Sequence, residues 1–254
     1  MKKYDNFQMP VIFSGSLNEV SKENVIAQID KNNFACIRGL FEPKKMADVI
    51  QTIGKRVSTL DFSSSVGEKP EAVRTNFCKM NIGGASLKYN NYPRFFRTMY
   101  NPVWEKDIWG MRDEFLNLIR LRNIIYGIDQ EFALSGISEN GLFSACRIQH
   151  YPSGGGFFSA HRDTTLLDVA AEKSVNFYQL ILVLSEKGKD FSRGGAFLDR
   201  GEARFLLEEQ CKPGDVLIYD GRSVHGVEDI DQQKRLSLSS ISGRVAALAS
   251  LYKI

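Results

Sequence analysis

The chain has three histidines, at positions 150, 161 and 225, and their neighbours decide which of them can do chemistry. His161-Arg162-Asp163 reads as a strand segment, so alternation puts the His161 and Asp163 side chains on one face, two residues apart. One more histidine would complete a 2-His-1-carboxylate facial set, which holds Fe(II) on one side and leaves three coordination positions open. The residual positive charge of such a site attracts an anionic co-substrate. The third ligand is either His150 or His225. His150 alternates away from the Tyr151 face, whereas His225 follows a strand and turn, Gly214-Asp215-Val216-Leu217-Ile218-Tyr219-Asp220-Gly221, and is taken as the ligand. Arg235-Leu236-Ser237 begins ten residues after His225. On a strand, Arg235 and Ser237 would face the same way. A guanidinium fork with a neighbouring hydroxyl suits the distal carboxylate of a dicarboxylic keto acid.

The elements that must position these residues change character along the chain. Ser21 is a good N-cap for a helix running toward Lys31, with Val25, Ile26 and Ile29 on one face. Phe34–Leu40 reads as a strand, and Pro43 opens a helix with Met46, Val49, Ile50 and Ile53 at i, i+3, i+4 and i+7. Trp104, Ile108, Met111, Phe115 and Leu118 predict a further long helix. From Ser144 the period becomes two. Strands are expected at 144–151, 156–163, 177–185, 195–199, 203–208, 215–220 and 235–242, separated by Gly- and Pro-containing turns. In 144–151 Arg147, Gln149 and Tyr151 share one face. In 235–242 Arg235, Ser237 and Ser239 do so. With helices available to cover the apolar outer faces, the polar faces line the inside of a barrel or jelly roll. The expected fold is α+β with a mainly β core. It forms a single domain over 1–254, mainly helical support and lid in 1–143 and core in 144–245.

Composition excludes several partners. The 254 residues are 43% hydrophobic, enough for one full core. Lys and Arg number 33 against 30 Asp and Glu, a balance that argues for neither nucleic acid nor membrane. No apolar run is long enough to span a bilayer, and no apolar segment follows the basic amino end. The cysteines 36, 78, 146 and 211 lie far apart without CxxC pairing, which fits free thiols in a cytoplasmic protein.

Taken together, HxD, a distant histidine after a strand, and Arg-x-Ser at ten residues resemble the Fe(II)/2-oxoglutarate-dependent dioxygenase superfamily, over about residues 144–245. Tyr151-Pro152-Ser153-Gly154-Gly155-Gly156-Phe157-Phe158 through His161-Arg162-Asp163 is similar to the prolyl-hydroxylase-type members. Gly194-Gly195-Ala196-Phe197-Leu198 and Lys212-Pro213-Gly214-Asp215 also match that group, while Arg-x-Ser is nearer the plant-enzyme and antibiotic-biosynthesis branch. The resemblance implies a double-stranded β-helix with the amino-terminal helices on its outer face. It implies that His161, Asp163 and His225 are catalytic iron ligands. It further implies that 2-oxoglutarate chelates iron and that Arg235 and Ser237 hold its far carboxylate, with Tyr151 a third contact. Oxygen would then be used to hydroxylate an unactivated carbon, with release of succinate and CO2. Asp163 disfavours halogenation, because related halogenases carry Gly or Ala there.

Arg147 and Gln149 share the face of Tyr151 and are candidate substrate contacts, as is Arg74 from a segment that could form a lid. The compact chain favours a small polar metabolite as substrate, such as an amino acid or biosynthetic intermediate. A prolyl-type protein hydroxylase is the second enzyme reading, and a cupin-like metal-binding protein without turnover is the reading from another class. A nucleic-acid dealkylase is disfavoured because Arg244 stands nine residues past Arg235, further than that branch places it. Oligomeric state has no signature in the sequence.

Overall fold

Local chemistry sets the helices of the outer layer. Ser21 accepts a hydrogen bond from the Asn24 N–H at 3.2 Å and opens α1 (Lys22–Asn32), which stops at Asn33 in the left-handed conformation. Pro43 begins α2 (Pro43–Arg56), whose buried Met46, Val49 and Ile53 lie on one stripe. The expected helix from Trp104 starts only at Arg112, as α4 (Arg112–Tyr126). Two features delay it. The Asp107 carboxylate accepts from the N–H groups of Trp109, Met111 and Arg112, and Gly110 sits at φ +70°. Of the expected stripe, Met111, Phe115 and Leu118 are fully buried, whereas Trp104 and Ile108, which precede the helix, are only half-buried. A one-turn α3 (Pro70–Val73) is the remaining α-helix among the described residues.

The computed structural model describes residues 3–4, 7–62, 69–83, 92–163 and 177–254. Among these, the strands form two sheets. The larger has the order β2 (Val11–Phe13), β3 (Phe34–Arg38), β12 (Val216–Asp220), β9 (Tyr178–Val183), β14 (Gly243–Lys253), β7 (Leu142–Pro152), β6 (Phe96–Tyr100), β4 (Cys78–Asn81). The smaller has the order β1 (Lys3–Tyr4), β11 (Ala203–Leu206), β10 (Gly195–Arg200), β13 (Val224–Ile230), β8 (Gly156–His161), β5 (Pro93–Arg94). The first 143 residues thus supply strands to both sheets as well as the helices.

The two faces of the large sheet do different work. Ala35, Ile37, Leu180, Leu182, Val216, Ile218, Val245 and Ala247 pack outward in one core with α1, α2 and α4. Phe34, Cys36, Ile181, Val183, Leu217, Tyr219, Ala246 and Leu248 point inward in a second core, shared with Leu198 and Phe205 of the small sheet. This is a double-stranded β-helix with helices on the outer face of one sheet. The four cysteines are free thiols, and Cys36, Cys78 and Cys146 are buried. Among the described residues no helix is long and apolar enough to cross a membrane.

The expected strand at 235–242 does not form. β13 stops at Ile230 because Asp231, fully buried at φ +46°, turns the chain out of the ladder. Its carboxylate accepts from the Ser192 and Arg193 N–H groups, the Ser153 hydroxyl and the Lys234 ammonium. Residues 231–242 then cross the glycine-rich turn after β7, and a Cβ on Gly154 would lie 2.5 Å from the Leu236 backbone. The ladder resumes as β14 from Gly243.

Candidate active site

His161 ends β8 and His225 stands second in β13, directly across the ladder from it. Two residues past His161, Asp163 completes the cluster, and one ligand atom from each of the three lies within 4.8 Å of the others. Asp163 Oδ1 is 3.4 Å from His161 Nε2, and Oδ2 is 3.3 Å from His225 Nε2. Three ligands at ~2.1 Å from one first-row divalent ion, with right angles between them, stand ~3 Å apart. The donor set and its spacing therefore fit such an ion.

The surroundings fix which nitrogen faces inward. His161 Nδ1 lies 2.8 Å from the Ser159 carbonyl oxygen, and His225 Nδ1 lies 2.9 Å from that of Ser223. A carbonyl only accepts, so each Nδ1 carries hydrogen and each Nε2 is directed to the cluster. The Gln179 amide of β9 donates to Asp163 Oδ2 and holds the carboxylate in place. Phe158 stacks on His161 at 4.1 Å between centroids, and Tyr219 lies 5.0 Å from His225. Gly226 lets β13 close on β8, because a Cβ there would meet the Phe158 carbonyl oxygen and the Phe197 ring at 2.7 Å.

Electrostatically the cluster is self-consistent. Burial by itself would raise the Asp163 pKa, but positive charge at His225 and hydrogen bonds from both histidines hold the carboxyl well below its usual range. Burial would lower His225, and Asp163 together with the Ser223 carbonyl raises it instead. Protons and a cation compete for the same two nitrogens.

Arg235 and Ser237 are not brought to this cluster. Both are exposed in the 231–242 crossing, and the Ser237 hydroxyl pairs with that of Ser239. On the inner face of the large sheet β14 sets Arg244 opposite Tyr151 of β7. Arg244 is buried, and its Nε donates to the Glu208 carboxylate at 2.7 and 2.9 Å. Its Nη2 is buried without a hydrogen-bond partner among the described residues. The guanidinium also lies 5.2 Å from the Tyr151 ring centre. Tyr151 and Tyr219 bridge the two places: burial raises both phenols, and each senses the charges of Asp163 and Arg244. A buried guanidinium nitrogen without a partner can receive a carboxylate.

The remaining candidates divide. Arg147 and Gln149 lie on the inner face with Tyr151. Arg74 follows α3, with its Nε buried and without a partner among the described residues. His150 is excluded as a ligand, because it is fully buried on the outer face, where Nδ1 accepts from Arg97 at 3.3 Å and Nε2–H donates to the Ser242 carbonyl at 3.2 Å. Gln179, Glu208 and Arg244 escaped assignment from sequence. The first had one signal, a lone amide in an otherwise apolar strand.

No protein-family model matches the chain, and no curated protein matches it in sequence. Solved structures do. A prolyl hydroxylase from Trichoplax adhaerens, in complex with a hypoxia inducible factor oxygen degradation domain peptide fragment, superposes with a TM-score of 0.53 at 14% identity, covering 90% of this chain and 88% of that one. A Pseudomonas putida prolyl-4-hydroxylase gives a TM-score of 0.53 at 10% identity over 92% and 100%. The non-heme alpha ketoglutarate dependent epimerase SnoN from nogalamycin biosynthesis gives 0.53 at 11% over 91% and 82%. At these identities the likeness is one of architecture: the chain has the double-stranded β-helix fold of the 2-oxoglutarate oxygenases.

Proposed function

We propose that the protein is an Fe(II)- and 2-oxoglutarate-dependent oxygenase. Iron is held by His161, Asp163 and His225, and the far carboxylate of 2-oxoglutarate by Arg244 with Tyr151. The observation that carries this reading is the convergence of three donor groups with both imidazoles fixed by carbonyls, facing a buried guanidinium edge. Bound iron, 2-oxoglutarate and O2 supply the oxidising power for an unactivated C–H bond, with release of succinate and CO2.

The chain's own part is positioning. The Ser159 and Ser223 carbonyls hold the imidazole tautomers, and the Gln179 amide holds the Asp163 rotamer. Glu208 occupies the Nε of Arg244 and so turns the other edge of the guanidinium toward the site. The rings of Phe158 and Tyr219 cover the ligand histidines and keep water from that side.

The substrate we favour is a small polar metabolite contacted by Arg147 and Gln149, in keeping with the likeness to an epimerase from nogalamycin biosynthesis. The likeness to prolyl hydroxylases, with the Tyr151-Pro152 glycine-rich segment, supports a protein substrate as the second reading. The buried free thiols suit a reducing, cytoplasmic setting. Succinate release and mass gain of one oxygen, measured with a free-metabolite library and with lysate protein in parallel, decide between the two. Succinate release above the uncoupled level with neither would count against oxygenation of both classes.

A further inference from the structure

Two buried polar side chains, Asn81 of β4 and Thr98 of β6, are not used in holding iron or 2-oxoglutarate. Thr98 is 1% exposed and Asn81 9%. Thr98 Oγ1 and Asn81 Oδ1 are both buried without a hydrogen-bond partner among the described residues. Register fixes the way they face. Thr98 lies opposite Gln149 of β7, and Gln149 opposite Ala246 of β14, which belongs to the core between the sheets. Asn81 lies opposite Phe96, which is two residues before Thr98 and so on the same inner face.

Their place is beside the metal-ligand cluster. Phe96 stacks on Tyr151 at 4.5 Å and lies 5.8 Å from Phe158, which stacks on His161 at 4.1 Å. Thr98 and Gln149 stand one rung along the sheet from the Phe96–Tyr151 pair, and Asn81 flanks Phe96. Buried polar atoms almost always have a partner, and one without it has lost its hydration for nothing in return. Val has the shape of Thr without that cost, so a hydroxyl kept here marks where a ligand completes the set. Lys79 and Arg147 of the same face have interactions within the protein, so the groups left open are uncharged. Asn81 Oδ1 only accepts, whereas the Thr98 hydroxyl both donates and accepts. A carboxylate cannot donate to Asn81 Oδ1. An ammonium can, but beside Lys79 and Arg147 it would be a third buried cation. A neutral group with both a donor and an acceptor meets all of these conditions.

We propose that Thr98 and Asn81, with the half-buried Gln149, bind an uncharged substrate group that both donates and accepts hydrogen bonds, a carboxamide or a hydroxyl. The bond oxidised then lies on the part of the substrate that passes Phe96 and Phe158 toward the metal-ligand cluster. The inference rests on the oxygenase reading for what is done to the bound molecule, but not for its binding.

The test is calorimetric titration of the anaerobic protein, loaded with Fe(II) and saturating 2-oxoglutarate, with probes that share one skeleton. These are 3-phenylpropanamide, 3-phenylpropan-1-ol, methyl 3-phenylpropanoate, 3-phenylpropanoate and 3-phenylpropylammonium. The amide, the alcohol or both are expected to bind about 10-fold or more tightly than the other three, and the tighter of the two tells a carboxamide from a hydroxyl. Thr98→Val removes that preference, Thr98→Ser keeps it, and Asn81→Ala weakens the favoured probe about 3-fold or more. Thr98→Val also leaves the urea midpoint of the ligand-free protein unchanged or higher, because it deletes an unpartnered hydroxyl at constant shape. Equal or absent binding of all the probes overturns the proposal, as does tightest binding of the ester, the acid or the ammonium. So does a preference that survives in Thr98→Val, or a lower urea midpoint in that variant, since the hydroxyl would then serve the fold. A loss of 2-oxoglutarate affinity in Thr98→Val also overturns it, because the hydroxyl would then serve the co-substrate. If Asn81→Ala does not fold, the two Thr98 variants decide by the same criteria. Failure of the oxygenase reading is seen separately, as absence of the iron–2-oxoglutarate charge-transfer band in the wild type. The probe preference is then measured without 2-oxoglutarate.

Discussion

Arg244 Nε lies 2.7 and 2.9 Å from the two carboxylate oxygens of Glu208, while Nη2 of the same guanidinium is buried with no hydrogen-bond partner among the described residues. One edge of the fork is thus committed to the protein and the other is offered to the site. Glu208 is itself fixed by the Ala196 N–H at 2.9 Å, so the guanidinium is held from β10 and from the 3-10 turn Leu207–Glu209.

On the proposed oxygenase reading, the arginine that holds 2-oxoglutarate is Arg244 and not Arg235. Arg244→Lys should weaken 2-oxoglutarate binding to the iron-loaded protein about 100-fold, as expected when a buried bidentate donor is lost. Arg235→Ala should change it less than about 2-fold, as an exposed side chain does. Titration of the charge-transfer band reads both. Arg244→Ala is the poorer variant, because it leaves Glu208 buried and uncompensated at about 3–5 kcal/mol.

Gln179 touches Asp163, a ligand on the proposed reading, so its removal should act through that carboxylate. Gln179→Ala is expected to lower Fe(II) affinity about 10- to 100-fold with the fold intact. Competition against a chelator of known affinity measures this, and the circular dichroism spectrum checks the fold.

Gly226 stands beside His225 where β13 pairs with β8. In Gly226→Ala the new Cβ has to displace the Phe158 carbonyl or the Phe197 ring, both 2.7 Å away. The expected loss is about 1–3 kcal/mol of stability by denaturant unfolding, and Fe(II) binding should weaken with it, since His161 and His225 lie on the two strands pushed apart.

His150 predicts the acid limb of stability. Burial first, and then the charge of Arg97, lowers its pKa from 6.5 to about 3, against a raising contribution from the Ser242 carbonyl. The folded state therefore holds His150 neutral, while the unfolded chain takes up a proton below about pH 6.5. Its contribution is fully present above that pH and declines by about 1.4 kcal/mol per unit as pH falls toward 3. Gln can accept from Arg97 and donate to Ser242 without titrating. His150→Gln should therefore lose about 2 kcal/mol less than the wild type between pH 7 and 5, as measured by urea unfolding.

The convergence of His161, Asp163 and His225 was readable in the sequence because a strand's two-residue period and a count of three histidines suffice for it. The helical half yielded to capping and stripe periodicity, except where Asp107 and Gly110 cut the helix back to Arg112. Arg235 was misplaced for a physical reason. Leu236-Ser237-Leu238-Ser239 alternates like an amphipathic strand, yet Leu238 is 37% exposed and the segment is held by other means. Arg97 donates to the Leu238 and Ser240 carbonyls, and Asp231 turns the chain out before the alternation begins. The strands β4 and β6 left no periodic signal because both of their faces are buried, one against the helices and one against a polar interior.

The most direct test of the central claim is anaerobic titration of the protein with Fe(II) and then 2-oxoglutarate, watched for a visible metal-to-ligand charge-transfer band. The account predicts a band that needs both additions, is abolished in His161→Ala, and saturates only at much higher 2-oxoglutarate in Arg244→Lys. Iron binding without a band would contradict 2-oxoglutarate as the co-substrate, and no iron binding would contradict the assignment of His161, Asp163 and His225.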